Sequence, residues 1–114
     1  MTIAHMEKLD ALKLEKFFIE CSKNLKYIRG IENDIKNDEQ FIYFVKHVYA
    51  IATKYKINNK KDIFSLILLW YVEGDSITKD KEFEEILTSE TLYGYEKGEY
   101  FKNRALEKIE GMSK

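Results

Sequence analysis

Apolar residues recur every three or four positions through the first part of the chain, a spacing that is typical of an amphipathic helix. This pattern predicts a first helix over residues 6–29, with charged residues on much of the remaining surface. Gly30 follows at the position where a glycine commonly ends a helix. The predicted inward positions are Leu9, Leu12, Phe17 (or its neighbour Phe18), Cys21, Leu25 and Ile28.

The second helix is predicted over residues 38–56, with Asp38 as its N-cap, since a side-chain oxygen there can accept a hydrogen bond from a free backbone N–H. After a break at residues 57–59, Asn59 predicts the cap of a third helix. Asp62 stands three residues later, in the capping-box position.

The third helix, over residues 60–73, is apolar nearly all round. Such a helix is central in the fold, or one of its faces meets a partner. Its apolar run over 66–72 could also form a buried strand, but the capping signal before it favours a helix. Gly74 is predicted to end it.

Two shorter signals complete the pattern. Thr78 or Asp80 predicts the cap of a short fourth helix that holds Phe83, Ile86 and Leu87. A fifth helix is predicted over residues 92–110, stopped by Gly111. Its candidate core residues are Tyr93, Tyr100, Phe101, Leu106 and Ile109.

Composition supports this interpretation. The 114 residues contain no proline and only five glycines, whereas sheet proteins use both at their many turns. The sequence therefore predicts an all-α fold, a compact bundle of about five helices in a single domain over residues 1–114. Gly94 and Gly98 lie four residues apart, which predicts a smooth strip for close helix packing.

Few residues in the chain are suited to catalysis or to metal binding. Cys21, His5 and His47 are scattered, and zinc sites need about four converging ligands. No phosphate-binding or dinucleotide-binding glycine motif occurs. Cys21 is expected in the core and His47 on the surface. We therefore expect no enzyme activity, no cofactor and no metal.

Charge is unevenly distributed along the chain, although the net charge is only −1. Residues 63–90 contain seven acidic residues and two lysines, a local charge of −5. The net charge argues against a dedicated nucleic-acid binder. The acidic stretch is either a docking face for a basic protein partner or a solvated loop and helix.

Tyrosine is the second indication of binding, because its apolar ring and polar tip suit protein interfaces. The chain has eight tyrosines, and the alternative to an interface is that they border a small core. Trp70, the only tryptophan, is expected in the core. The candidate partner-binding residues are Glu73, Asp75, Asp80, Glu82, Glu84, Glu85, Tyr93 and Tyr95.

The N-terminal sequence lacks the apolar run of a signal peptide. The longest apolar run, 66–72, is too short to span a bilayer. We therefore expect a cytoplasmic protein with no membrane association.

Several motifs between residues 41 and 106 resemble a group of small helical proteins encoded beside effector genes in bacterial type VI secretion loci. The similarity lies in Ala52-Thr53-Lys54-Tyr55-Lys56-Ile57, in Asp62-Ile63 opening a helix, in Leu69-Trp70-Tyr71-Val72-Glu73-Gly74-Asp75-Ser76-Ile77, and in Asp80 with Ile86-Leu87. The sequence departs from that pattern at Ser76-Ile77, where a bulky aromatic residue is usual. The resemblance implies an accessory role: an immunity protein that neutralises a cognate toxin, or an adaptor that helps to load one.

The leading hypothesis is therefore a protein-binding immunity or adaptor protein for a secreted bacterial toxin. Alternatives are an acidic inhibitor of a nucleic-acid-binding enzyme and a structural homo-oligomer that buries the apolar face of residues 63–72 against itself. The sequence does not determine the oligomeric state.

Overall fold

The helices of this chain begin where polar side chains can cap them and end at turns. The computed structural model describes residues 3–28, 31 and 35–112, with side chains from residue 10 onward. Within these residues the chain is all-α, as predicted, and contains no strand. The helices are α1 (Ile3–Lys26), α2 (Asp38–Lys54), α3 (Lys60–Glu73), α4 (Lys81–Thr88) and α5 (Gly94–Met112), with a 3₁₀ turn at Asp75–Lys79 between α3 and α4.

Three side chains cap helix N-termini. Asn59 Oδ1 accepts a hydrogen bond from Lys61 N–H at 2.9 Å, which confirms the predicted cap of α3. Asp80 Oδ1 accepts from Phe83 N–H at 2.9 Å and caps α4. The prediction for α2 was wrong by one residue: Asn37, in extended conformation, is the cap, and Asp38 is already helical.

The glycine predictions had different outcomes. Gly74 ends α3 in a positive-φ conformation (φ 78°) that side chains disfavour, and its N–H donates to the Trp70 carbonyl at 2.8 Å. Gly111 does not stop α5, which continues to Met112, because an exposed helical glycine costs only about 1 kcal/mol relative to alanine. Helix α1 ends at Lys26, not at Arg29, and Gly30 lies outside the described residues.

Helix α3 occupies the centre of the bundle. Its apolar residues are buried around the helix, and α1, α2 and α5 all pack against it. The face of residues 63–72 that could have served an oligomer is used inside the chain, with Phe64 and Leu68 half-buried. The remaining core comes from Phe17, Phe18, Cys21, Leu25, Val45, Val48, Ala52, Ile57, Ile77, Phe83, Leu87, Phe101 and Ala105.

Three predicted core residues are exposed instead. Leu12 lies on α1 before the stretch from Phe17 to Leu25, where the buried side chains of that helix are concentrated. Tyr93 precedes α5, which begins at Gly94 and not at Leu92, so it is not on the helix's buried face. Leu106 falls beside the buried stripe of α5, not on it. Leu9, also predicted in the core, lies outside the residues whose side chains the structure describes.

Two glycines of α5 allow other parts of the chain to approach closely: Gly98 faces α3, and Gly94 faces the link that precedes α3. A Cβ atom on Gly98 would lie 2.2 Å from Asp62 Oδ1, and one on Gly94 would lie 3.0 Å from the Lys56 carbonyl oxygen. The predicted smooth strip is therefore confirmed. It also explains why Asp62 does not complete a capping box at Asn59: its side chain lies against α5.

Cys21 and His47 lie where the sequence predicted. Cys21 is buried, and burial, with a smaller contribution from Glu20, raises the pKa of its thiol to about 12. His47 is exposed, with its ring edge-on to Trp70 at a centroid distance of 6.0 Å. Among the described helices, none combines the length and apolar character needed to cross a membrane.

Candidate partner-binding surface

The acidic stretch folds into α4 and the turn before it, and α4 lies antiparallel to α5. Three contacts along the two helices show this arrangement. Asp80 meets Arg104, Glu82 meets Tyr100, and the Leu87 carbonyl meets Lys97. The N-terminal end of α4 is thus held by the ion pair of Asp80 with Arg104, and its C-terminal end by the hydrogen bond from Lys97.

Arg104 forms ion pairs with two of the predicted binding acids. Its Nη2 lies 2.7 Å from Glu73 Oε2 and 2.9 Å from Asp80 Oδ2, and its Nη1 donates to the Tyr100 hydroxyl at 3.1 Å. The hydrogen bond from Arg104, followed by the one from Phe83 N–H, holds the pKa of the Asp80 carboxyl below its usual range. Glu73 and Asp80 therefore connect α3, α4 and α5, and the single charge of Arg104 offsets one of their two negative charges inside the fold.

Two more of these acids have partners within the chain. The Tyr100 hydroxyl donates to Glu82 Oε1 at 2.5 Å, and burial, followed by this bond, raises the pKa of Tyr100. Asp75 Oδ1 accepts from Trp70 Nε1 at 3.3 Å. Both carboxylates remain exposed, so they can still meet a partner, but each is already oriented by a neighbour.

Glu84 and Glu85 differ from the other four. Phe83 and Leu87 are the buried residues of α4, and Glu84 and Glu85 lie on its remaining surface. Both are exposed, and within the described residues no lysine or arginine forms an ion pair with either. The structure therefore distinguishes Glu73 and Asp80, which pair with Arg104, from Glu84 and Glu85, which face solvent.

Tyr93 and Tyr95 stack on each other at the start of α5, with ring centroids 5.8 Å apart and an interplanar angle of 9°. Both are about two-thirds exposed. Glu96 fixes this end of the helix, because its Oε1 accepts from Tyr93 N–H at 3.0 Å. A stacked, exposed pair of rings offers a large apolar surface that loses little side-chain entropy on binding.

The predicted tyrosines and acids do not share one cleft. Tyr95 lines a groove of about 700 Å³ between α3 and α5, together with Asp62, Glu99 and Lys102. Glu82 lines a cleft of about 470 Å³ between α4 and α5. Burial raises the pKa of the Asp62 carboxyl in the first groove.

An acidic row on α5 was missed by the sequence reasoning. Glu96, Glu99, Asn103 and Glu107 are all exposed and recur every three or four residues. That spacing puts them on one face of a helix, where Glu96 and Glu99 line the first groove and Asn103 and Glu107 line the second cleft. The spacing of these residues is visible in the sequence, but the row lies outside residues 63–90 and has no apolar residue that periodicity would detect.

Lys97 is a buried cation whose ammonium group is held by two backbone carbonyls. Its Nζ donates to the Leu87 carbonyl at 2.9 Å and to the Tyr55 carbonyl at 3.2 Å. These carbonyls lie at the C-terminal ends of α4 and α2, where the helix dipoles favour a positive charge. Burial, with the nearby charge of Lys56, lowers the pKa of Lys97.

The described His, Cys, Asp and Glu side chains form no group of three or more that could hold a metal ion. Comparison with known proteins finds no matching family model, curated sequence or solved structure. The surface itself therefore carries the functional interpretation.

Proposed function

We propose that this protein is a cytoplasmic binding protein that docks a basic protein partner through the outer acidic surface of α4 and α5. The role that best fits the surface and the resemblance over residues 41–106 is an immunity protein for a secreted bacterial toxin, or an adaptor for one. It acts by binding its partner.

One observation supports this proposal above the others: among the described residues no lysine or arginine forms an ion pair with Glu84 or Glu85, whereas Arg104 pairs with Glu73 and Asp80. Uncompensated carboxylates on a rigid helix produce a negative field, which accelerates encounter with a basic partner. The row of Glu96, Glu99 and Glu107 extends the field along α5. The stacked tyrosines supply apolar area at the start of the same helix.

The test begins with affinity capture of the tagged protein from its host, followed by binding kinetics with the captured protein. In an immunity role, co-expression must also protect cells from the captured toxin. Replacing Glu84 and Glu85 with lysine is expected to weaken binding at least tenfold, mainly through slower association, with a weaker dependence on salt. Glu82 is kept unchanged because it is bonded to Tyr100.

The matched control carries the same charge change on α1, with Asp10 and Glu20 replaced by lysine. Both are exposed residues far along the chain from α4. If the two double variants bind equally well, net charge and not the α4 surface controls affinity, and the proposal fails.

A second candidate is the acidic inhibitor of a nucleic-acid-binding enzyme. The extended row of acids on α5 favours it, because such a row can occupy a basic groove built for phosphates. The two candidates differ in one measurement: an inhibitor of this type competes with DNA or RNA for the captured protein, whereas a partner bound elsewhere remains able to bind nucleic acid.

A further inference from the structure

A separate groove lies beside the first half of α2 and is bounded by the turn that follows α3. Its volume is about 720 Å³. None of the α4 acids lines it. The residues that matter for its chemistry are Ile35, Glu39, Tyr43, Phe44, His47 and Asp75.

The lining combines apolar surface with negative charge. Ile35 and Phe44 are half-buried and pack against the core, whereas the Tyr43 side chain is 75% exposed. Glu39 and Asp75 are the formally charged residues in the described lining when histidine is counted as neutral. Since no lysine or arginine lies in that lining, its charge favours a cationic group on whatever enters it.

Trp70 contacts two of the residues that line this groove. Its Nε1 donates to Asp75 Oδ1 at 3.3 Å, and the His47 ring stands edge-on to the indole at 6.0 Å. The indole itself is buried. Two lining residues are thus held in place before anything binds, which lowers the entropic cost of binding.

We propose that this groove binds a peptide segment of a protein partner in which an aromatic or aliphatic side chain lies next to a lysine or arginine. The apolar side chain packs against Tyr43 and Phe44, and the cation faces Glu39 and Asp75. Acidic peptides and nucleic acids are disfavoured by the same two carboxylates. The inference does not rest on the proposed function, because the α4 acids take no part in it.

The experiment uses a random heptapeptide library displayed on phage and selected on the immobilised full chain. Enriched peptides are then synthesised and titrated into the protein while the fluorescence of Trp70, the only tryptophan, is recorded. Expected sequences carry an apolar residue beside Lys or Arg. Tyr43→Ser and Glu39→Lys, both surface changes, are each expected to weaken their binding at least tenfold.

Two matched controls accompany these variants. Tyr27→Ser removes another exposed tyrosine, and Glu20→Lys reverses another exposed acid, both outside the groove. Both are expected to bind like the wild type. The Glu84→Lys/Glu85→Lys variant is also expected to bind the peptides normally, so loss of partner binding at α4 and loss of peptide binding here are distinguishable.

Several results would overturn the proposal. They are a selection that enriches nothing, enrichment of acidic or uncharged peptides, and equal binding by the Tyr43 and Tyr27 variants. A wild-type dimer in sedimentation that Tyr43→Ser abolishes would place a second copy in the groove and would equally contradict a peptide partner.

Discussion

The contact between α3 and α5 and the contact between α1 and α2 hold one bundle together by different means. The first depends on groups that match one another: Gly98 against Asp62, and Arg104 between Glu73 and Asp80. The second is built from aromatic rings, with Phe18 edge-on to Tyr49 at 5.1 Å. Its ion pair between Lys46 and Glu15, at 3.6 Å, is about half-exposed.

The difference teaches which changes each contact can accept. A contact of matched groups fails when one group changes shape or charge, because its partner is then left clashing or unpaired. The stability of a contact of packed rings depends on the side-chain volume that it buries. An exposed ion pair beside it contributes about 0–1 kcal/mol. The candidate binding surface on α4 and α5 belongs to the matched contact, so its geometry depends on those pairings.

The largest expected effect is at the aromatic contact. Phe18→Ala is expected to lower the free energy of unfolding by about 3 kcal/mol, because it leaves a cavity beside Tyr49. Phe18→Leu, which keeps most of the volume, is expected to cost about 1 kcal/mol. Urea unfolding followed by circular dichroism measures both, and equal losses would contradict a contact governed by volume.

The next effect tests the matched contact with a single methyl group. Gly98→Ala is expected to destabilise the protein by about 2 kcal/mol, since the new Cβ collides with the Asp62 side chain and the helices must separate. Helix propensity alone would predict a gain of about 1 kcal/mol.

Gly111→Ala is the control, because it is also helical and nothing lies within 4 Å of the added Cβ. It is expected to stabilise by about 0.5 kcal/mol, reduced from the interior value by its place near the helix end. A gain in both variants would show that α3 and α5 are not in close contact at Gly98.

The smallest effect concerns charge. Arg104→Met is expected to cost about 1.5 kcal/mol, because it leaves Glu73 and Asp80 close together without their cation. Lys102→Met, two residues away and outside that pairing, is expected to change stability by less than about 0.5 kcal/mol. Equal effects of the two substitutions would show that the pairing of Arg104 with Glu73 and Asp80 does not stabilise the protein.

The same pairing predicts a pH dependence. The pKa of Asp80 is lowered in the folded protein, so its contribution is fully present above the ordinary aspartate value of 3.8 and is lost as the pH falls through the lowered value. The stability difference between wild type and Arg104→Met should therefore shrink below about pH 4. Asp80→Asn, which keeps an acceptor for Phe83 N–H, should flatten the same acid limb.

Local patterns made much of the fold predictable. The bounds of α3 matched at both ends because Asn59 and Gly74 act through their own backbone and side-chain geometry. The end of α1 and the start of α5 were less accurate, and so were Leu12, Tyr93 and Leu106. A residue on an apolar stripe is buried only if a neighbouring helix packs over it, and the periodicity of the sequence does not show where that helix lies.

The candidate site was only partly predictable for a related reason. The acidic stretch was visible in the sequence. Arg104, whose single charge offsets one of the two charges of Glu73 and Asp80, lies 24 residues after Asp80. The groove beside α2 combines Tyr43 with Asp75 from a distant turn. No local signal links such residues.

By itself, the sequence determined the helical class, the cap at Asn59, and the place of the acidic and tyrosine-rich segments, because periodicity and capping act over a few residues. Only the tertiary structure decided which acids pair with Arg104, which remain open to a partner, and which grooves form. These outcomes depend on the antiparallel packing of α4 on α5 and on the approach of α3 to Gly98, and both bring together groups far apart in the chain.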